Sequence, residues 1–193
     1  MARRTSWLAL ALVAALCCAA ASAAPVYDNF AAALDAQASG GYMYAKRLMD
    51  ALDLRKKYSD PSTVATMLVP SDAAFAALAK DAGVTADELL AKVQTNKALK
   101  GLLSNALAYN TIPGRAIGAF QFTQGEKVVT AQAGKALTAA RSADGVFLSG
   151  DLNKAGTPAK IVDANIRTKA GVAHGVNAVL LPFNLPKLGP KSL

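Results

Sequence analysis

The chain has 193 residues, 53% of them hydrophobic, 18% charged and 6% aromatic, with a formal net charge of +8. That leaves room for an export segment and one domain of ordinary size but not two, and the apolar content excludes a disordered chain. Alanine supplies much of the apolar count, so the predicted core is made of small side chains around Leu, Val, Ile and a few Phe.

Residues 1–24 read as a signal peptide. Arg3 and Arg4 give a positive start, residues 8–16 form a short apolar run, and Ala21-Ser22-Ala23 offer small residues for cleavage before Pro25. The alternative is a membrane anchor, but the run falls short of the roughly 20 residues a bilayer span needs, and no later segment is long and apolar enough either. Cys17 and Cys18 leave with the signal, so the exported domain has no thiol or disulfide and relies on its hydrophobic core. Losing Arg3 and Arg4 leaves 19 basic against 13 acidic residues, a charge of +6. The expected location is extracellular. A basic secreted domain favours acidic partners such as uronic-acid or sulfated polysaccharide, or an anionic surface. The simpler reading is that surplus lysine keeps the domain soluble. Nucleic acid fits poorly, because the basic residues are dispersed and not interleaved with aromatics.

In chain order, residues 27–58 read as helical. Asp28 or Asn29 caps a first stripe of Phe30, Ala33 and Leu34, and Gly40-Gly41 breaks it. Tyr44, Leu48, Ala51 and Leu52 follow on one face of a second helix closed by Arg55, Lys56 and Lys57. Asp60-Pro61 is a turn. Residues 63–69 form a β-branched strand ended by Pro70, and Ser71 caps a short helix carrying Phe75 and Leu78. Thr85 with Glu88 is a capping box for the helix of Leu89, Leu90 and Val93. Asn96 caps the next, with Leu99, Leu102, Leu103, Ala106 and Leu107 on one face. After Pro113-Gly114 the texture changes to short strands at 120–122, 127–130, 136–140, 146–148, 159–163 and 176–181. Gly125, Gly134, Gly145, Gly150 and Gly156 separate them, as in an antiparallel sheet or sandwich. Helices first and strands after is the α+β pattern. Residues 185–193 read as a flexible tail. There is no internal repeat and no N-glycosylation sequon.

Reactive groups are scarce. His174 is the single histidine, so a zinc site of His and Cys is excluded from the exported domain. The carboxylates are scattered, with Asp87-Glu88 the one adjacent pair, and nothing resembles a calcium loop. A Ser-His-Asp triad would draw on Ser71, Asp72 and His174, yet no strand-turn-helix nucleophile motif surrounds that serine. The expectation is a non-enzymatic protein with no metal and no cofactor. His174, beside Val172 and Val176, reads as a core residue hydrogen-bonded to backbone. Lys56 and Lys57, with Arg55, Lys46 and Arg47, form a basic patch for an acidic polymer or simply a solvated helix end. Tyr42, Tyr44 and Tyr58 lie nearby and would stack on a sugar or polyene, or serve as half-buried packing residues.

Three segments resemble the fasciclin domain. Thr66-Met67-Leu68-Val69-Pro70-Ser71-Asp72-Ala73-Ala74-Phe75 is similar to its first signature, with Pro70 stopping the strand, Ser71 capping the helix and Phe75 entering the core. The second signature is similar to Gly171-Val172-Ala173-His174-Gly175-Val176-Asn177-Ala178-Val179-Leu180-Leu181-Pro182. The family's Tyr-His segment resembles 107–114, where Tyr109-Asn110 stands for the pair. Gly175 departs from the β-branched residue usual after the histidine. The resemblance spans 26–184 and implies a fasciclin-like fold of two packed β-sheets with a helical layer. Pro70, Ser71, Asp72, Phe75, His174, Leu181 and Pro182 are the implied structural signature. The implied function is cell adhesion or interaction with extracellular matrix or cell wall, with Tyr109, Asn110, Tyr44, Lys56 and Lys57 as candidate binding residues. The alternative is a soluble carrier of an apolar ligand, a carotenoid or lipid, since some secreted algal members of the family bind carotenoids and small core side chains leave a groove between helices and sheet.

Overall fold

The computed structural model describes residues 24–150 and 158–189. The signal-peptide residues 1–23, Gly156 and tail residues 190–193 lie outside the described residues. Helix α1 (Phe30–Gln37) starts at Asn29, whose Oδ1 accepts the Ala32 N–H at 2.9 Å. A 3-10 turn (Ala38–Gly40) follows, and Gly41, at φ 101°, reverses the chain into α2 (Met43–Ala51). Two expectations change here. Asp53 takes φ 58° and interrupts the helix, so Arg55–Tyr58 form a separate short helix α3. Tyr27 is not helical but lies in a two-residue strand β1 (Val26–Tyr27).

Strand β2 (Ala65–Pro70) ends at Pro70, and Ser71 Oγ accepts the Ala74 N–H at 3.3 Å to start α4 (Asp72–Asp81). Helix α5 (Ala86–Thr95) opens on the Thr85–Glu88 capping box, and Asn96 Oδ1 caps α6 (Lys97–Tyr109) at 3.0 Å. Each cap satisfies an N–H that has no partner within its helix. The remaining strands are β3 (Thr111–Pro113), β4 (Lys127–Val129), β5 (Ala136–Ser142), β6 (Gly145–Ser149), β7 (Ala159–Thr168) and β8 (Val172–Val176). The expected strand at 120–122 is a 3-10 turn (Ala119–Gln121), closed by the Gln121 N–H to Gly118 O bond of 2.9 Å. Exposed Phe120 followed by buried Phe122 mimics strand alternation. The last strand stops at Val176, where 176–181 was expected to begin one. The apolar run beyond it leaves the sheet, and Val179 and Leu181 pack on the helices.

The two sheets of the expected architecture are one continuous sheet, ordered β3-β2-β8-β7-β6-β5-β4, with β1 beside β7. Strand β7 joins its halves, pairing with β6 through Ala159 and Lys160 and with β8 from Ile161 to Arg167. Register breaks on either side of Asp163 bend it, as bulges do, and the sheet curls until it nearly closes. Across the gap the Ala131 N–H reaches Thr111 O at 2.7 Å. The sheet is mixed rather than antiparallel, since β2–β8 and β1–β7 are parallel.

Strand β2 is buried on both faces, as a central parallel strand should be. Leu68 faces the core inside the curled sheet with Phe122, Leu137, Leu148 and Leu180, while Met67 faces Phe30, Leu34 and Met49 of the helical side. Phe75, Leu89, Val93, Leu99 and Leu103 form a third cluster among α4, α5 and α6. Leu185 and Leu188, in the stretch read as flexible tail, pack against that cluster, and the Leu188 N–H reaches Ala82 O at 2.7 Å.

Candidate functional site

His174 sits in β8 opposite Leu68 and is fully enclosed. Its Nδ1 accepts the Asn165 N–H at 3.1 Å, which leaves the proton on Nε2 to be donated to Ile117 O at 2.8 Å. The Ile117 loop is in turn tied to β2, because Thr66 Oγ1 accepts the Ile117 N–H at 2.8 Å and donates to Arg115 O at 2.7 Å. One neutral imidazole therefore joins β7, β8 and the loop after β3. Burial pushes its pKa below the usual imidazole value, against the opposing effect of the Ile117 hydrogen bond. A group so enclosed has no route to a substrate. Its partners Ile117 and Asn165, and Thr66 behind Ile117, are separated in sequence by about fifty residues each, and no local pattern marked Ile117.

Tyr109 and Asn110 were expected on a binding surface, and the structure corrects this. Both are buried, because they close α6 against the inside of the sheet. The Tyr109 hydroxyl donates to Ala136 O at 3.3 Å, and Asn110 Nδ2 donates to Ala106 O at 2.7 Å and Leu180 O at 2.8 Å. Asn110 Oδ1 is buried without a hydrogen-bond partner. Asn110→Asp is expected to cost about 3 kcal/mol at neutral pH, since it sets a carboxylate against two carbonyls that need donors. Thermal melts at pH 7 and pH 4 check it: protonation at the lower pH should narrow the gap to the parent chain.

The helical basic patch is largely neutralised. Lys46 pairs with Asp35 at 3.1 Å, Arg47 with Asp87, and Arg55 with Asp50 and Asp35. Lys56 and Lys57 stay exposed, Lys57 Nζ lying 5.5 Å from the centre of the Tyr58 ring. The tyrosines form no open platform. Tyr42 and Tyr58 are buried, and Tyr44 stacks on Phe75 at 5.5 Å with Arg47 on its ring. Of the signature residues, Asp72 Oδ1 accepts the Tyr44 N–H at 2.8 Å, Phe75 and Pro182 are buried, and Leu181 is half-buried.

Two adjoining apolar crevices, of about 40 and 20 Å³, run between β2 and the helices, the larger reaching α4 and α6 as well as α1 and α2, and share Leu34, Met49, Met67 and Val69. Among the described residues, no group of three or more His, Cys, Asp or Glu side chains is placed to hold a metal, and no helix is long and apolar enough to cross a membrane.

Charge separates along the fold. Among the described residues, nine basic and nine acidic side chains lie in 24–110, the helical part, for a net charge of zero. From residue 111 to 189 eight basic side chains meet three acidic ones, a surplus of five, of which Lys187 reaches back to Asp81 O on the helices. Counting charges on either side of Asn110 would have revealed this from sequence.

A single mixed sheet curled round its core, with its helices grouped beside β2, defines an α+β domain closed by one buried imidazole. Residues 40–182 match the fasciclin domain model, and the chain belongs to the fasciclin domain family, whose members are adhesion-type domains. A solved FAS1 domain pair from the insect cell adhesion molecule Fasciclin I has the same fold, with a TM-score of 0.65 at 9% sequence identity. The likeness covers 81% of this chain and 51% of that one, so this chain spans about half the length of the domain pair. No curated protein matches it by sequence.

Proposed function

We propose that this chain is a secreted, extracellular binding protein of fasciclin type, which acts in adhesion or in matrix or cell-wall interaction through an acidic polysaccharide. The observation that supports this is the uneven charge: residues 24–110 are neutral and residues 111–189 carry +5, although Lys187 docks on the helices and Asp28 pairs with Lys169. An asymmetric field orients and concentrates a polyanion, whereas lysines spread for solubility need no such separation. The purified chain should be retained on immobilised polygalacturonate and not on neutral dextran. It should elute as added salt shortens the Debye length from about 10 Å at 0.1 M toward 3 Å at 1 M. Equal passage through both columns at low salt would refute the reading.

The adjoining apolar crevices favour a second reading, a carrier of a carotenoid or lipid. At about 40 and 20 Å³ they are far below the roughly 150 Å³ that admits benzene, so such a ligand would have to part α2 from β2. A visible absorption band in protein purified from its native source tests it; a colourless, lipid-free preparation that takes up no carotenoid refutes it.

A further inference from the structure

A groove of about 780 Å³, in the size class of small-ligand sites, opens on the strand-bearing side. One wall is the end of β7 and the turn after it, with Asn165, Arg167 and Lys169; the other is the 3-10 turn with Phe120 and Gln121; Val26 of β1 lies at the rim. The turn is firmly mounted. Asn165 Oδ1 accepts the Ala119 N–H at 2.9 Å, Gln121 Oε1 accepts the Gly118 N–H at 2.6 Å, and Arg141 Nη1 donates to Phe120 O at 3.2 Å. These bonds fix the backbone and leave Phe120 78% exposed, with Val26, also lining the groove, 60% exposed. A large apolar ring held in water by a rigid turn contributes nothing to folding, and such rings commonly anchor a partner.

The charge of the groove is positive. Arg167 is exposed, and no described acidic side chain forms an ion pair with it. Lys169 pairs with Asp28 at 2.7 Å, but both ends are mostly exposed, so this pair is weak and readily exchanged for a ligand carboxylate. The groove lining itself contains no carboxylate. An apolar ring beside an Arg and amide side chains matches a pyranose, whose flat C–H face packs on the ring while its acid group takes two guanidinium N–H bonds.

We propose that this groove is the polysaccharide site: a uronic-acid residue sits with its ring on Phe120 and its carboxylate on Arg167. The proposal rests on the polyanion-binding reading above and adds the site and the sugar chemistry. The test uses the purified full chain, with Phe120→Ala, Arg167→Glu and, as a control far from the groove, Lys56→Ala/Lys57→Ala. Affinities are measured for polygalacturonate fragments and for polyglutamate, after confirming that each variant melts like the parent. Phe120 and Arg167 are exposed, so both variants should fold. The expected result is a loss of about tenfold for Phe120→Ala on the sugar polymer alone, about tenfold or more for Arg167→Glu on both polymers, and less than about twofold for the control. If the parent binds polygalacturonate and both groove variants bind it equally well, the site is wrong although the function stands. If Phe120→Ala is silent and polyglutamate binds as tightly as the sugar, the uronate assignment is wrong. If the parent binds no acidic polysaccharide, both proposals fall.

Discussion

Gly175→Val is expected to destabilise the domain by roughly 3–5 kcal/mol, a larger penalty than a β-branched residue normally brings to a strand. The reason is Tyr42. The hydroxyl end of its ring lies against Gly175, and a Cβ placed there would stand 2.6 Å from Tyr42 Cζ and 3.0 Å from Asp163 Cβ, as well as overlapping the Tyr42 hydroxyl. That hydroxyl donates to the Asp163 carboxylate on β7. Burial first, and then this hydrogen bond, raise the Tyr42 pKa far above the usual phenol value, so it remains a donor at every pH the protein meets. Valine would displace a buried ring and break a charge-assisted bond together. Tyr42, at α2's start, thus fills the volume that a side chain at position 175 would need. The shared volume predicts coupling. Tyr42→Ala alone should also cost about 3–5 kcal/mol, but the double variant should cost less than the sum, because valine refills part of the vacated space. Denaturant midpoints of the four proteins measure this; strictly additive losses would show that the two positions do not compete for one volume.

His174→Ala is expected to cost about 3–5 kcal/mol and to remove a pH dependence. The substitution leaves a cavity and strands both the Asn165 N–H and the Ile117 carbonyl. In the parent chain His174 is neutral when folded and its pKa is depressed by burial. Below the ordinary histidine value of about 6.5 the unfolded chain takes up a proton that the folded chain refuses, so stability is full above that pH and falls as pH falls. The slope should approach about 1.4 kcal/mol per pH unit until the depressed folded pKa is reached. The protein has one histidine, so no other imidazole blurs the measurement. Glu88 and Glu126 are held below the usual carboxylate range, chiefly by the backbone N–H groups of Thr85 and Thr123, and titrate lower still. Urea titrations from pH 7 to 5 should show the slope in the parent and a flat line in His174→Ala. The same slope in both would remove His174 as its source.

What could be read directly were the features whose causes lie within a few residues. Asn29, Ser71, Thr85 and Asn96 cap helices because a short polar side chain reaches an N–H three residues on, and that geometry is written locally. The stripes of Leu89, Leu90 and Val93 and of Leu99 and Leu103 are buried for the same reason of period. Local pattern misled where two structures share it. Phe120 and Phe122 alternate in exposure on a turn as they would on a strand, and the apolar run after Val176 is buried as coil.

Composition, caps, periodicity and three signatures thus determined the helices, the mixture of helix with strand, and the family, because each is short-range information. Only the tertiary structure decided that β7 would bend through Asp163 and merge two sheets into one, that Tyr109 and Asn110 would turn inward, and that Phe120 and Arg167 would share a groove. Those outcomes depend on pairings between residues tens of positions apart, whose free energy comes from burial and backbone hydrogen bonding that no single segment contains.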